Sequence, residues 1–152
     1  MSHAEMPHTR QVLVCDDEAP IRQIVAAKLR SCGYVVHEAR NGLEGFSFID
    51  PSVLPMGVQA RTRHGLIPDL VLTDLQMPVL SGLELAQRLR ATRATQNVPV
   101  IMLTARGYIL TPEQLAQTNI KHLLPKPFGV RQLMELVANT LGPATVEGAI
   151  AA

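Results

Sequence analysis

The stretch that decides the fold is PDLVLTDLQMP, residues 68–78. Its core runs from Leu70 to Thr73 and is almost entirely apolar, which is typical of a strand buried on both faces of a parallel sheet. The run ends in Asp74, and three other short apolar runs end in the same way, with groups that can bind phosphate or metal. In chain order these groups are Asp16 and Asp17, Asp74, Thr104, and Lys126. If the runs are parallel strands, their carboxyl ends lie side by side, and we expect these groups to converge on one crevice.

The rest of the sequence alternates between strand and helix patterns. Residues Tyr34–Glu38 complete a set of five short β-type runs. Apolar spacing, prolines at first turns and closing glycines predict five helices among these runs. The predicted helices cover about Pro20–Ser31, Gly42–Ile49, Leu83–Arg90, a segment opened by Thr111, and Val130–Leu141. Alternation of this kind indicates an α/β fold.

Length and composition indicate one compact domain. The chain has 152 residues, of which 47% are hydrophobic, and this is enough to build a core. We expect the domain to span residues 10–142, between a flexible N-terminus at 1–9 and a flexible tail at 143–152. Within it, residues 50–68 contain three prolines, two glycines and no regular period, and this predicts an enlarged loop.

Charge and hydropathy bear on partners and location. The formal net charge is +1, so we expect no general attraction to nucleic acid or to an anionic membrane. No stretch approaches the roughly 20 apolar residues of a membrane span, and the N-terminus lacks the apolar segment of a secretory signal. We therefore expect a cytoplasmic protein whose partners are recognised locally.

The predicted crevice has a definite chemistry. Two unit charges about 4 Å apart repel by on the order of 4 kcal/mol at a protein surface, so three aspartates brought together require a cation. Mg²⁺ suits such a site because it prefers oxygen ligands and keeps positions open for phosphate. An aspartate beside Mg²⁺ and Lys126 can attack phosphorus and form an acyl phosphate. The hydroxyl of Thr104 could then bind a phosphoryl oxygen, which would turn the modification into a movement.

At this point the sequence resembles the receiver domain of two-component response regulators. The resemblance covers about Arg10–Leu141. Its matching pieces are Val12–Glu18, Pro68–Pro78 with Gly82, Val100–Ala105, and Pro125–Phe128. It implies a doubly wound, five-stranded parallel sheet with the flavodoxin-like order 2-1-3-4-5 and five helices, with the crevice at the point where the strand order reverses.

The resemblance also implies a role for each site residue. Asp74 would be the phosphoacceptor, Lys126 the phosphate-binding cation and Thr104 the switch hydroxyl. The Mg²⁺ ligands would be Asp16, Asp17, Asp74 and the main-chain carbonyl of Gln76. Gln76 and Arg106 would flank the site and tune the lifetime of the phosphoryl group. The Lys126–Pro127 bond would be cis.

As a receiver, the chain would be a signalling domain of a phosphorelay that catalyses only its own phosphorylation and dephosphorylation. The phosphoryl group would come from a histidine kinase or a phosphotransfer protein. The output would be a changed affinity for a downstream protein at the face formed by helix 4, strand 5 and helix 5, without direct contact to nucleic acid or membrane.

One departure keeps other functions open. Receivers usually carry an aromatic residue three positions before the lysine, and here Leu123 stands there, preceded by His122. The first alternative is therefore a receiver-like binding module that works without phosphorylation. An aspartyl-phosphate phosphatase of the haloacid dehalogenase type is a second, but its nucleophile follows the first strand in a DxD motif. A flavin carrier is disfavoured by the acidic first loop, where a phosphate cradle would be wanted.

Overall fold

The computed structural model describes residues 9–56, 65–105 and 107–142. Their centre is a five-stranded parallel sheet with the order β2-β1-β3-β4-β5. The strands are β1 Gln11–Cys15, β2 Val35–Ala39, β3 Leu70–Asp74, β4 Val100–Thr104 and β5 Ile120–Pro125. This confirms the predicted fold class and strand order.

Five α-helices of the described residues cover the two faces of the sheet. They are α1 Ala19–Ser31, α2 Gly42–Ser47, α3 Gly82–Ala91, α4 Pro112–Ala116 and α5 Val130–Leu141. Side chains alternate along each strand, so Val12 and Val14 pack with α1 and α5 while Leu13 and Cys15 pack with α2 and α3. The sheet is thus buried on both faces, which explains why its strands are apolar runs.

Several element boundaries differ from those predicted. β3 and β4 extend by one residue, so Asp74 and Thr104 are the last residues of their strands, because both still take part in the ladder. α2 ends at Ser47, and α4 is only a short helix. The loop predicted over residues 50–68 begins with one turn of 3₁₀ helix, Pro51–Val53, because the Asp50 side chain accepts a hydrogen bond from the Ser52 N–H.

Other expectations fall beyond what is described. The middle of the predicted loop, residues 57–64, lies outside the described residues. So do the predicted flexible ends, apart from Thr9. Within the described part of the chain, none of the helices is both long and apolar enough to span a membrane.

Candidate functional site

The predicted site residues meet at the carboxyl edge of the sheet. Asp16 directly follows β1, Asp74 ends β3, Thr104 ends β4 and Lys126 directly follows β5. Asp16, Asp17 and Asp74 each offer a carboxylate oxygen, and these oxygens lie within 4.8 Å of one another. Asp16 and Asp74 are buried whereas Asp17 is exposed, so the acidic cluster has an inner part and an open mouth.

Lys126 contacts two of the three carboxylates of this acidic cluster. Its Nζ is 3.2 Å from Asp16 Oδ2 and 3.4 Å from Asp74 Oδ2. A third carboxylate, that of Glu18, also contacts it at 3.1 Å. The backbone N–H of Lys126 donates to the carbonyl of Thr104 at 2.7 Å, and the Lys126–Pro127 bond is cis as expected. The lysine therefore joins the ends of β1, β3 and β4.

Sequence reasoning did not assign Glu18 to the site. The available signal was its position, since it is the third acid in succession after β1. What the sequence could not supply is the folding of the β1–α1 turn, in which the Glu18 N–H donates to Asp16 Oδ1 at 2.9 Å. This turn brings the Glu18 carboxylate over Lys126.

Burial dominates the electrostatics of the inner carboxylates. Desolvation raises the pKa of Asp16, although the Glu18 N–H and Lys126 oppose it. Desolvation also raises the pKa of Asp74, which Lys126 lowers and the Asp16 charge raises further. Burial lowers the pKa of Lys126, but the carboxylates of Asp16, Glu18 and Asp74 outweigh it, and the net shift is upward. One ammonium group thus leaves the buried negative charge only partly compensated.

The donor set fits a hard divalent cation. It consists of carboxylate oxygens close enough to share one ion, and the incomplete compensation by Lys126 favours a second positive charge. Gln76 lies two residues beyond Asp74 and is exposed, and its main-chain N–H acts to lower the pKa of the Asp74 carboxyl. These features suit Mg²⁺, which binds a few carboxylates and retains open positions.

Helix α3 fixes the backbone beneath Asp74. The Gly82 N–H donates to the carbonyl of Leu75 at 2.9 Å, and a Cβ added at Gly82 would lie 2.1 Å from the carbonyl oxygen of Asp74. Only glycine allows so close an approach of the helix to the strand end. Gly82 begins α3, and Ser81 and Glu84 form a capping box around it.

The two β5 residues considered in place of the usual switch aromatic, Leu123 and His122, are less enclosed. Leu123 is 37% exposed on β5, whereas its neighbour Leu124 is buried against the other face of the sheet. His122 is half-buried. Arg106, predicted to tune the phosphoryl lifetime, lies outside the described residues. The roles of these residues stay predictions.

Comparison with known proteins agrees with this geometry. The family model for the response regulator receiver domain matches residues 12–138. The chain is similar to the phosphate regulon transcriptional regulatory protein PhoB of Pseudomonas aeruginosa, with 34% identity over 144 residues that cover 93% of this chain and 57% of PhoB. The chain spans about half the length of this relative and of several others.

Two further proteins resemble the chain along nearly all of their own length. The polar-differentiation response regulator DivK of Brucella ovis is 28% identical over 136 residues, which cover 90% of this chain and 99% of DivK. The solved receiver domain of the sensor histidine kinase PA1611 from P. aeruginosa holds a magnesium ion in its active-site cleft. It matches with a TM-score of 0.66 and 26% identity over 89% of this chain and 99% of that one. Since the family model spans most of the chain and the sheet has the strand order that the resemblance implied, the chain belongs to the response regulator receiver domain family of two-component signalling.

Proposed function

We propose that Asp74 accepts a phosphoryl group from a histidine kinase or a phosphotransfer protein and that this modification changes the affinity of the chain for a protein partner. The proposal rests on the approach of the Asp16, Asp17 and Asp74 carboxylates to within 4.8 Å of one another beside the Lys126 ammonium. Residues 10–142 would form the receiver unit, with chemistry limited to its own phosphorylation and dephosphorylation.

In the transfer step, a carboxylate oxygen of Asp74 forms a bond to phosphorus while the bond from phosphorus to the donor's imidazole nitrogen breaks. Lys126 already contacts Asp74 at 3.4 Å, so its ammonium can neutralise negative charge on the transferred group. Asp16, Asp17, Asp74 and the carbonyl of Gln76 would hold Mg²⁺. When bound, Mg²⁺ offsets the charge of the phosphoryl oxygens and of the buried acids.

The response would begin at Thr104. This residue is 3% exposed, and its strand lies between the strand of Asp74 and the strand that leads to Lys126. We infer that its hydroxyl donates to a phosphoryl oxygen and that the shift is passed to the face formed by α4, β5 and α5, with Leu123 repacking. Coupling of this kind is typically about 1–3 kcal/mol, or roughly 5- to 150-fold in partner affinity. Gln76 and Arg106 would tune the lifetime of the acyl phosphate.

An apolar groove beside Lys126 supports docking of a phosphodonor. Its volume is about 570 Å³, and its apolar lining comes from Ile21, Ile24, Val25, Phe128 and Val130. Ile24, one of these lining residues, is 56% exposed, so the groove presents apolar surface to solvent. A helix seated in this groove would bring its histidine to the open mouth of the acidic cluster.

Intact-mass measurement after exposure to acetyl phosphate and Mg²⁺ tests the proposal. The wild-type chain should gain the mass of one phosphoryl group, and the gain should disappear in Asp74→Asn and when Mg²⁺ is chelated. The matched control is Asp69→Asn at the opposite end of β3, where asparagine can still accept the 2.7 Å hydrogen bond from the Gln11 N–H. An equal gain in wild type and Asp74→Asn would remove Asp74 from this role.

The exposure of Leu123 favours one other candidate, a receiver that binds its partner without phosphorylation. An aromatic switch is replaced here by an aliphatic side chain that is 37% exposed. This candidate predicts no mass gain in the wild-type chain, so the same experiment separates the two functions.

A further inference from the structure

Arg22 links the end of β2 to the candidate metal-binding loop. It lies in the first turn of α1, and its side chain is only 12% exposed. Its Nε donates to Glu38 Oε1 at 3.2 Å, and one terminal nitrogen donates to the backbone carbonyl of Asp16 at 2.9 Å. The rigid guanidinium therefore joins two separate acceptors at fixed spacing.

The carbonyl that Arg22 binds belongs to the peptide plane between Asp16 and Asp17. This plane lies beyond the end of β1, so the strand ladder no longer sets its orientation. The other polar groups of Asp16 are held elsewhere: its N–H donates to Ala39 O at 3.0 Å, and its carboxylate accepts from Glu18 and Lys126. The peptide group is planar, so a hydrogen bond that fixes the Asp16 carbonyl also fixes the position of the Asp17 Cα, from which the Asp17 side chain extends.

We propose that Arg22 is a positioning residue for the metal site, which holds the Asp16–Asp17 peptide so that both carboxylates face the same cation. This inference rests on the proposed function, since it concerns the same Mg²⁺ site. Arg22 lies six residues after Asp16 in the sequence, and the turn after β1 and the packing of α1 bring its guanidinium to the Asp16 carbonyl.

The charge of Arg22 does not explain its place beside a cation site. A lone arginine next to two metal-binding acids would oppose the binding of Mg²⁺. Glu38 contacts the Arg22 guanidinium and compensates its charge locally. The specific property of Arg22 is that one side chain donates hydrogen bonds to both Glu38 and the Asp16 carbonyl.

Arg30 is a natural control for this arrangement. It donates to the second oxygen of the same Glu38 carboxylate at 3.1 Å and to the backbone carbonyl of Val36 at 3.0 Å. It therefore matches Arg22 in residue type, acidic partner and kind of contact, but its carbonyl partner lies within β2. Loss of Arg30 removes similar hydrogen bonds without touching the metal loop, although its side chain is more exposed, at 49%.

Calorimetric titration with Mg²⁺ tests the proposal on the phosphate-free protein. Arg22→Gln should raise the Mg²⁺ Kd by roughly 10-fold, the low end of what loss of a residue supporting a metal ligand produces. Arg30→Gln should keep the Kd within about 2-fold of wild type, as exposed ion pairs contribute little. Arg22→Lys keeps the charge but not the fork, so it should weaken binding nearly as much as Arg22→Gln.

Phosphoryl uptake from acetyl phosphate gives a second readout. In Arg22→Gln the Mg²⁺ concentration for half-maximal uptake should rise by roughly 10-fold, while uptake at saturating Mg²⁺ stays within about 2-fold of wild type. A Kd in Arg22→Gln or Arg22→Lys equal to that of wild type would overturn the positioning role. A wild-type chain that binds no Mg²⁺ would overturn the proposed metal site as well, so the two failures are distinguishable.

Discussion

Helices α3 and α4 stand in equivalent places but are held very differently. Each follows a strand that ends in a site residue, Asp74 before α3 and Thr104 before α4, and each begins with a capping box. α3 has ten residues and buries Leu85, Ala86 and Leu89. α4 has five residues, none of them fully buried.

The contrast separates two mechanical roles. The strand end that carries the proposed phosphoacceptor lies under a helix that is anchored in the core. The strand end that carries the proposed switch hydroxyl leads to a helix with few buried apolar groups, and such segments move at small free-energy cost. We therefore expect the β3–α3 segment, which carries the proposed phosphoacceptor, to stay rigid. We expect the conformational change to occur in the β4–α4 segment.

Truncation of one leucine in each helix should reveal the largest difference. Leu85 is fully buried, and Leu85→Ala should lower the free energy of unfolding by about 3 kcal/mol. Leu115 of α4 is only partly buried, and Leu115→Ala should cost about 1 kcal/mol. Urea unfolding monitored by circular dichroism measures both, and equal losses would contradict the proposed difference in anchoring.

The next largest effect is expected from substitution of Gly82, where α3 meets the end of β3. Gly82→Ala places a methyl group 2.1 Å from the Asp74 carbonyl, so strand or helix must shift, at a cost of about 2 kcal/mol. Phosphoryl uptake should fall as well, because the shift reaches the acceptor. Gly129→Ala is the control, since no atom outside Gly129 and its two chain neighbours lies within 4 Å of its added Cβ, and it should cost less than about 1 kcal/mol. Similar urea midpoints for the two variants would be inconsistent with this close approach.

The pH dependence of stability should report the burial of Asp74. Its pKa is raised in the folded chain, so its stabilising contribution is complete below the ordinary value of 3.8 and is lost as pH rises through the raised pKa. Without divalent cations, Asp74→Asn should therefore be more stable than wild type at neutral pH, and the gap should close as pH falls toward 3.8. Urea midpoints in EDTA between about pH 4 and pH 7.5 measure this gap.

Asp50 provides a control of opposite sign. Hydrogen bonds from Ser52 lower the pKa of Asp50, so its contribution is present at neutral pH and is lost as pH falls. Its replacement by alanine should therefore lower stability at neutral pH and matter less in acid. If the difference in urea midpoint between Asp74→Asn and wild type widened toward low pH, burial would not be the dominant influence on the pKa of Asp74.

The smallest effect is expected at the predicted switch position. Leu123 is 37% exposed, and Leu123→Ala should cost less than about 1 kcal/mol and leave phosphoryl uptake unchanged. Leu124→Ala, one residue along the same strand, removes a side chain that is 3% exposed and should cost about 3 kcal/mol. Loss of phosphoryl uptake in Leu123→Ala would show that the Leu123 side chain contributes to phosphoryl transfer rather than to the conformational change that follows.

Sequence reasoning reached the strand order through the resemblance and the acidic crevice through the ends of the apolar runs. It predicted α5 to the residue, because the helix has a clear apolar stripe and a closing glycine. It left the length of α4 open and ended α2 two residues late, since helix ends depend on which caps the tertiary structure supplies. It also missed the 3₁₀ turn at Pro51–Val53.

What the sequence alone determined is the set of strands and the identity of the groups at their ends, because apolar runs and the residues that close them are local features. The tertiary structure decided which other groups touch these ends. The contacts of Lys126 with Glu18 and of Arg22 with the Asp16 carbonyl are examples. Such contacts depend on the turn after β1 and on the packing of α1 against the sheet, and no periodicity in the chain encodes them. The residues proposed to carry out the chemistry could therefore be identified from the sequence. The contacts that hold them in place could be identified only from the fold.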